Sequence, residues 1–185
     1  MKTLKEYLSP TAVLTIICVV VTLALAGTYQ LTQPVIAANT KAAADAARAE
    51  VLPAGGGAYN PVDCKLLDGV IDVYRADNQA EYVITTKDKG FGGAIVAMVG
   101  IGADGKIAGV KVLEHSETPG LGTKAVADSH LSLFLGQSRI TNTHEAGATN
   151  IDAISGATIS SNAVFRAVDK AMLQYAELGG AKQNE

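Results

Sequence analysis

Ala94 to His115 reads AIVAMVGIGADGKIAGVKVLEH, and this stretch decides the fold. Its first eight residues, Ala94 to Ile101, form an unbroken apolar run of strand length, the pattern of a strand covered on both faces. Asp104 and Gly105 follow as a two-residue hairpin signal, because a type I′ turn needs positive φ at both central positions. Lys106 to His115 then returns, which makes the stretch an antiparallel pair. Two segments upstream also have strand character: Gly69 to Tyr74 (GVIDVY) and Glu81 to Thr86 (EYVITT). Downstream the hydrophobic period changes. Thr123 to Leu135 (TKAVADSHLSLFL) can form a helix that buries Val126, Leu131 and Leu135. Ala163 to Leu178 is a stronger helix, with Val164, Ala167, Val168, Ala171, Met172 and Tyr175 on one face and Arg166, Asp169, Lys170 and Gln174 facing away. Strands followed by helices imply an α+β domain with a twisted antiparallel sheet and flanking helices.

The apolar excess lies at the N-terminus. No charged residue occurs from Tyr7 to Thr40, and Thr11 to Leu31 (TAVLTIICVVVTLALAGTYQL) is long enough to cross ~30 Å of hydrocarbon as a helix. We read residues 11–33 as one transmembrane helix after a short cytoplasmic N-terminus, residues 1–10. Ser9 and Pro10 suit its N-cap and first position, Tyr29 an interface, and Pro34 a bend or end. The competing reading is a cleaved signal peptide, since Lys2 and Lys5 precede the apolar stretch and Ala24-Leu25-Ala26 makes a cleavage site. Both readings export the remainder of the chain. Lys41 and Arg48 after the span offset Lys2 and Lys5 before it, so the charge rule leans only slightly towards an inside N-terminus. Residues 34–54 contain the Ala-rich NTKAAADAARAEVL and form a helical stalk by propensity. Pro53, Gly55, Gly56, Gly57 and Pro61 break it, placing the start of an extracytoplasmic domain, residues 55–185, near position 55.

Composition removes several functions. The 185 residues carry 15 Lys and Arg against 18 Asp and Glu, a net charge of −3, so no basic surface exists to neutralise a nucleic-acid backbone. Two cysteines, Cys18 and Cys64, are too few for a tetrahedral thiolate site or a haem attachment. Cys18 falls in the span, so no intramolecular disulfide is expected. His115, His130 and His144 lack metal-site spacing and read as surface or capping residues. Glu114 and Glu117 fall on opposite faces of a strand end, and Asp128, His130 and Ser132 lack the nucleophile elbow of a hydrolase triad. Redox chemistry in this chain would need an organic cofactor.

Between the last strand signal and the final helix lies Asn150 to Asn162, NIDAISGATISSN. Gly156 permits backbone that a side chain forbids, and Ser155, Thr158, Ser160 and Ser161 place hydroxyls just before a helix. A helix start attracts phosphate through its unpaired N–H groups and positive dipole end; equally, the same residues make an ordinary N-cap. Upstream, Glu117-Thr118-Pro119-Gly120-Leu121-Gly122 is a tight loop in which Pro119 and Gly120 suit the centre of a type II turn.

Asp152 with Ser155-Gly156-Ala157-Thr158 resembles the flavinylation motif Asp-x-x-Ser/Thr-Gly-Ala-Thr of the FMN-binding family, which includes the G subunit of Rnf complexes and the C subunit of sodium-pumping NADH:quinone oxidoreductases. By average residue usage the bare tetrapeptide arises by chance in roughly one chain of this length in a few hundred. The stretch from Gly90 to Lys124, with its glycine-rich entry and its Glu-Thr-Pro-Gly-Leu-Gly loop, is also similar to that family. So are the length and the Thr32-Gln33-Pro34 exit of the anchor, which resemble the G subunits.

This resemblance implies FMN on Thr158 through a phosphoester. Thr158 has no neighbouring base, His144 being the nearest histidine, so self-attachment is not expected; the resemblance implies a separate flavin transferase that uses FAD, with Asp152, Ser155, Gly156 and Ala157 recognised by it and shaping a phosphate cradle. Ser160, Ser161 and nearby N–H groups would solvate the phosphate. Glu117, Thr118, Gly120, Leu121 and Gly122 would approach the isoalloxazine ring. The implied protein is a single-pass electron-transfer subunit of the cytoplasmic (inner) membrane, in contact with lipid and with other Rnf membrane subunits of an ion-translocating ferredoxin:NAD⁺ oxidoreductase. The alternatives are an exported flavin module for sensing or regulation, and a structural anchor whose Ser-Gly-Ala-Thr is only a helix cap.

Overall fold

Strand β4, Ala94–Ile101, pairs with a strand on each side and is buried along most of its length, the residues of the apolar run entering both faces of the sheet. The computed structural model describes residues 2–53, 56–77 and 81–179, the side chains of residues 2–9 excepted. Five strands run in sequence order as an antiparallel meander: β1 (Tyr59–Pro61), β2 (Val70–Ala76), β3 (Tyr82–Lys89), β4, and β5 (Ile107–Glu114). The expected mixed fold with an antiparallel sheet is what forms. Short helix α2 (Asp128–Leu131), a two-stranded parallel ribbon of β6 (Ile140–Thr141) and β7 (Thr149–Asn150), and long helix α3 (Thr158–Glu177) follow.

The pleat sends alternate residues of β3 and β4 into two separate cores. Ile84, Ile95, Val99 and Ile101 pack with Val164, Val168, Ala171 and Tyr175 of α3 on one face. Val83 and Met98 pack on the other face with Ala76 and with Ala47, Val51 and Leu52 at the end of α1 (Lys2–Val51). The compact unit that holds the sheet therefore begins at Asp45, ten residues ahead of the glycine-rich break. Gly100 and Gly109 are register partners on β4 and β5. A Cβ on either would lie 2.3 or 2.4 Å from the Val51 carbonyl oxygen, so the helix end rests directly on the strand backbones. Arg48 stacks its guanidinium 3.6 Å from the centre of the Tyr74 ring, and the Tyr59 hydroxyl donates to the Leu52 carbonyl at 2.9 Å.

Considered by itself, the described part of the first unit, residues 2–44, belongs to one continuous helix. It starts at Lys2 and runs through both Pro10 and Pro34, so Ser9 is not its N-cap and Pro34 does not end it. Thr15, Thr22, Thr28 and Thr32 each donate a hydroxyl hydrogen to the carbonyl four residues earlier, at 2.7–3.0 Å. Such back-bonding gives each of those four hydroxyl hydrogens an acceptor within the helix.

Four further expectations are corrected. The hairpin after β4 is a three-residue loop, with Gly102 N–H donating to Lys106 O and Gly105 N–H to Gly102 O, both at 2.9 Å. Only Gly105 has positive φ, which makes this a type I turn closed by a left-handed glycine instead of type I′. The helix read at Thr123–Leu135 breaks into the four residues of α2 between two 3₁₀ turns; Phe134 is buried in the core and Leu135 is exposed. His130 is buried edge-on to Phe134, and burial pushes its pKa down. Gln174, expected to face water, is also buried. Its amide accepts from Leu67 N–H at 2.8 Å and donates to Lys65 O at 3.2 Å, tying the segment before β2 to α3.

Asp88 joins the end of β3 to α3 through Arg166 and Lys170, each at 2.8 Å. Burial alone would raise its carboxyl pKa, but the hydrogen bonds from Arg166, Lys170 and the Lys89 N–H outweigh burial and hold it below the usual range. A carboxylate depressed in the folded state stabilises above its unfolded pKa of about 4 and loses that contribution as pH falls further. Acid titration of thermal stability in the full chain should show a fall below pH ~4 that Asp88→Asn reduces. Gly100→Ala or Gly109→Ala should cost on the order of 1–3 kcal/mol in denaturant unfolding, since the added methyl meets backbone that cannot step aside.

Candidate functional site

The start of α3 is set by a turn. Ala157 N–H donates to Ile154 O at 2.9 Å, and Gly156 in the third position has φ +81°. Ala157 is the N-cap, with no side-chain capping bond. The Ser- and Thr-rich sequence thus does not cap this helix. The N–H groups of Thr158, Ile159 and Ser160 have no acceptor among the described residues, and the first that does, Ser161, donates to Ala157 O at 2.9 Å. The positive end of the helix dipole is left with open donors.

The four hydroxyls of the motif divide in two. Ser160 donates to Glu117 Oε2 at 2.5 Å and Ser161 accepts the Ile154 N–H at 3.1 Å; each residue is 2% exposed. Ser155 and Thr158 are exposed, and their hydroxyls form no hydrogen bond among the described residues. Of these two, Thr158 lines a cleft.

That cleft, about 300 Å³, is walled by the helix start and by the loop after β5. The loop turns where the Pro-Gly pair required: Leu121 N–H donates to Thr118 O at 3.2 Å and Gly120 has φ +77°. Gly120 N–H also donates to the Thr123 hydroxyl at 2.9 Å. Leu121 leans over Gly156, its Cδ1 3.5 Å from where a Cβ would stand. Between the walls Glu117 is 5% exposed, accepting from Gly92 N–H at 3.1 Å on Oε1 and from Ser160 on Oε2.

Glu117, Thr118, Leu121, Gly122, Gly156, Ala157, Thr158 and Ser160 are all brought to this cleft. Gly120, Ser155 and Ser161 lie beside it. Asp152 is exposed outside it, accepting from Asn150 Nδ2 at 2.6 Å with His144 Nε2 at 3.9 Å. Two lining residues escaped the sequence reading, Phe91 and Ile159. Phe91 is 69% exposed, Ile159 54% and Leu121 48%, so the mouth of the cleft is a rim of large apolar side chains in water. The available signal for Phe91 was an aromatic residue flanked by the glycines of the β3–β4 turn. A larger cleft of about 750 Å³ follows the C-terminal half of α3, beside Arg139, Thr141 and Asp169, but no residue of the motif lines it.

The arrangement fits a phosphate on the helix start with an apolar ring system over the rim. The FMN-binding domain profile matches residues 90–173 and the RnfG N-terminal region matches residues 1–51. The G subunit of the proton-translocating ferredoxin:NAD⁺ oxidoreductase complex of Clostridium ljungdahlii is 33% identical over 91% of each chain. The chain belongs to the RnfG family. The G subunit of an ion-translocating oxidoreductase complex from Pseudomonas aeruginosa is 32% identical, covering 79% of this chain and 78% of its own. The C subunit of the Na⁺-translocating NADH-quinone reductase of Parabacteroides distasonis is 24% identical, covers 58% of this chain and 60% of its own, and superposes with a TM-score of 0.47.

Gly156→Ala forces a side chain into left-handed backbone, a strain of roughly 1–2 kcal/mol. Chemical denaturation of the purified full chain should register a loss of that size.

Proposed function

We propose that this chain is the flavinylated electron-transfer subunit of an Rnf-type ion-translocating ferredoxin:NAD⁺ oxidoreductase, carrying FMN as a phosphoester on Thr158. The observation that carries the proposal is the state of Thr158. The residue is exposed, lines the cleft and is the first of an uncapped helix, and its hydroxyl has no hydrogen-bond partner among the described residues. The neighbouring hydroxyls of Ser160 and Ser161 are already committed. Membership of the RnfG family and the FMN-binding domain match support the cofactor.

In this scheme a flavin transferase brings FAD to the exposed turn. Asp152 and Ser155 stand in water where such an enzyme can reach them. The Thr158 oxygen would bond to the FMN phosphorus of FAD as the pyrophosphate bond breaks, AMP leaving with the bridging oxygen and the hydroxyl proton passing to the transferase or to water. The N–H groups of Ile159 and Ser160 then have an anion to bind, and the helix dipole favours it. Phe91, Leu121 and Ile159 cover apolar ring surface, and the Thr118 hydroxyl supplies a polar edge. Bound FMN supplies reversible electron transfer; the protein's part is to fix its position and tune its potential.

The single apolar helix and the RnfG N-terminal match support a membrane anchor, and in the proposed arrangement the FMN domain stands on the extracytoplasmic side. No Asp, Glu, Lys, Arg or His occurs in residues 8–40. The anchor therefore has no group with which to move an ion, and coupling belongs to partner subunits.

The chain co-produced with a flavin transferase should give a fluorescent band in a denaturing gel. Thr158→Ala should abolish that fluorescence, whereas Ser155→Ala should leave a fluorescent band. Fluorescence that survives Thr158→Ala would place the attachment elsewhere.

A further inference from the structure

The glycines around Glu117 report what its carboxylate does. A Cβ on Gly90 would lie 2.2 Å from Glu117 Oε1, and one on Gly122 would lie 2.4 Å from Oε2 and 3.0 Å from the Ser160 hydroxyl oxygen. A Cβ on Gly92 would fall 2.0 Å from the Ser116 carbonyl oxygen. Two segments distant in sequence have thus given up side chains around one buried acid. That acid accepts one hydrogen bond from the first of them, through Gly92 N–H in the β3–β4 turn, and another from the Ser160 hydroxyl in the first turn of α3. Phe91 sits on the β3–β4 turn and Thr158 on the helix start.

A buried carboxylate is costly unless its oxygens are hydrogen-bonded, so this geometry is held as a unit. Building on the covalent FMN reading above, we infer that Glu117 is a positioning residue: its two carboxylate oxygens clamp the Phe91 turn to the Thr158 helix start, so that one bound group meets the apolar plate and the phosphate-binding N–H groups together. Ser160 is the second half of the clamp. Its hydroxyl serves Glu117, and its backbone N–H remains open toward the phosphate. The chemical class served is a phosphorylated ring system too long for either segment to immobilise alone. Since the motif turn and Thr158 are exposed, attachment itself does not depend on the clamp; ring order does.

The test uses the full chain in detergent, flavinylated by a transferase with FAD, with two readouts. In-gel fluorescence after denaturation reports attachment, while visible circular dichroism and fluorescence anisotropy of the native protein report how tightly the ring is held. Compared at equal bound flavin, the labelled Ser160→Ala, Gly122→Ala and Glu117→Ala proteins should lose most of the induced dichroism and show lower anisotropy. Glu117→Gln, which can still accept from one of the two partners, should restore much of both. Ser160→Ala removes a single hydroxyl and stays informative if Glu117→Ala does not fold. Labelled Ser160→Ala and Gly122→Ala proteins with the parent's dichroism and anisotropy would overturn the clamp and leave the covalent reading standing. A parent chain that takes no label overturns both.

Discussion

A carboxylate can be taken out of water only if donors replace the water it loses. Glu117, at 5% exposure, meets that condition by drawing in a backbone N–H from the β3–β4 turn and a hydroxyl from the first turn of α3. The space it needs explains glycine at positions 90 and 122. Its bond to Ser160 removes one of the hydroxyls that sequence alone offers as phosphate ligands. What remains at the helix start is a row of unpaired N–H groups and the free hydroxyl of Thr158, beside an apolar rim. The loop wall and the helix wall of the cleft are joined through that one side chain.

The same economy operates on the opposite face of the sheet. Gly100 and Gly109 lie side by side on β4 and β5, and the last turn of α1 rests on them. The α1 end covers the face that α3 does not, which is why β4 reads as a continuous apolar run. Stalk and domain are therefore not separable at the glycine-rich break. Residues 45–52 are part of the domain's second core, with Arg48 on Tyr74 and the Leu52 carbonyl bonded to Tyr59.

Strands β2 to β5 and helix α3 were legible because each buries a regular face, and regular faces leave a period in the sequence. The segment from Thr123 to Leu135 has apolar residues at helical spacing, but Phe134 enters the core where Leu135 was expected, and the chain reaches it through 3₁₀ turns that no simple period describes. β1 is three residues ending in Pro61 at a sheet edge, too short to carry a pattern. At the site, the Thr-Pro-Gly-Leu and Ile-Ser-Gly-Ala turns were readable from glycine chemistry. The division of labour among the hydroxyls was not, because it depends on Glu117, 43 residues before Ser160. Phe91 was missed for a related reason: an aromatic among glycines has no periodicity, and only the fold brings it to the cleft that Thr158 lines.

The central claim concerns one bond, between the Thr158 oxygen and the phosphorus of FMN. Tandem mass spectrometry of peptides from the chain isolated in its native membrane tests it most directly. A peptide spanning Asp152 to Asn162 should carry the mass of FMN less one water, with fragment ions assigning the addition to Thr158. The same peptide recovered unmodified, or with the addition on Ser155, would contradict it.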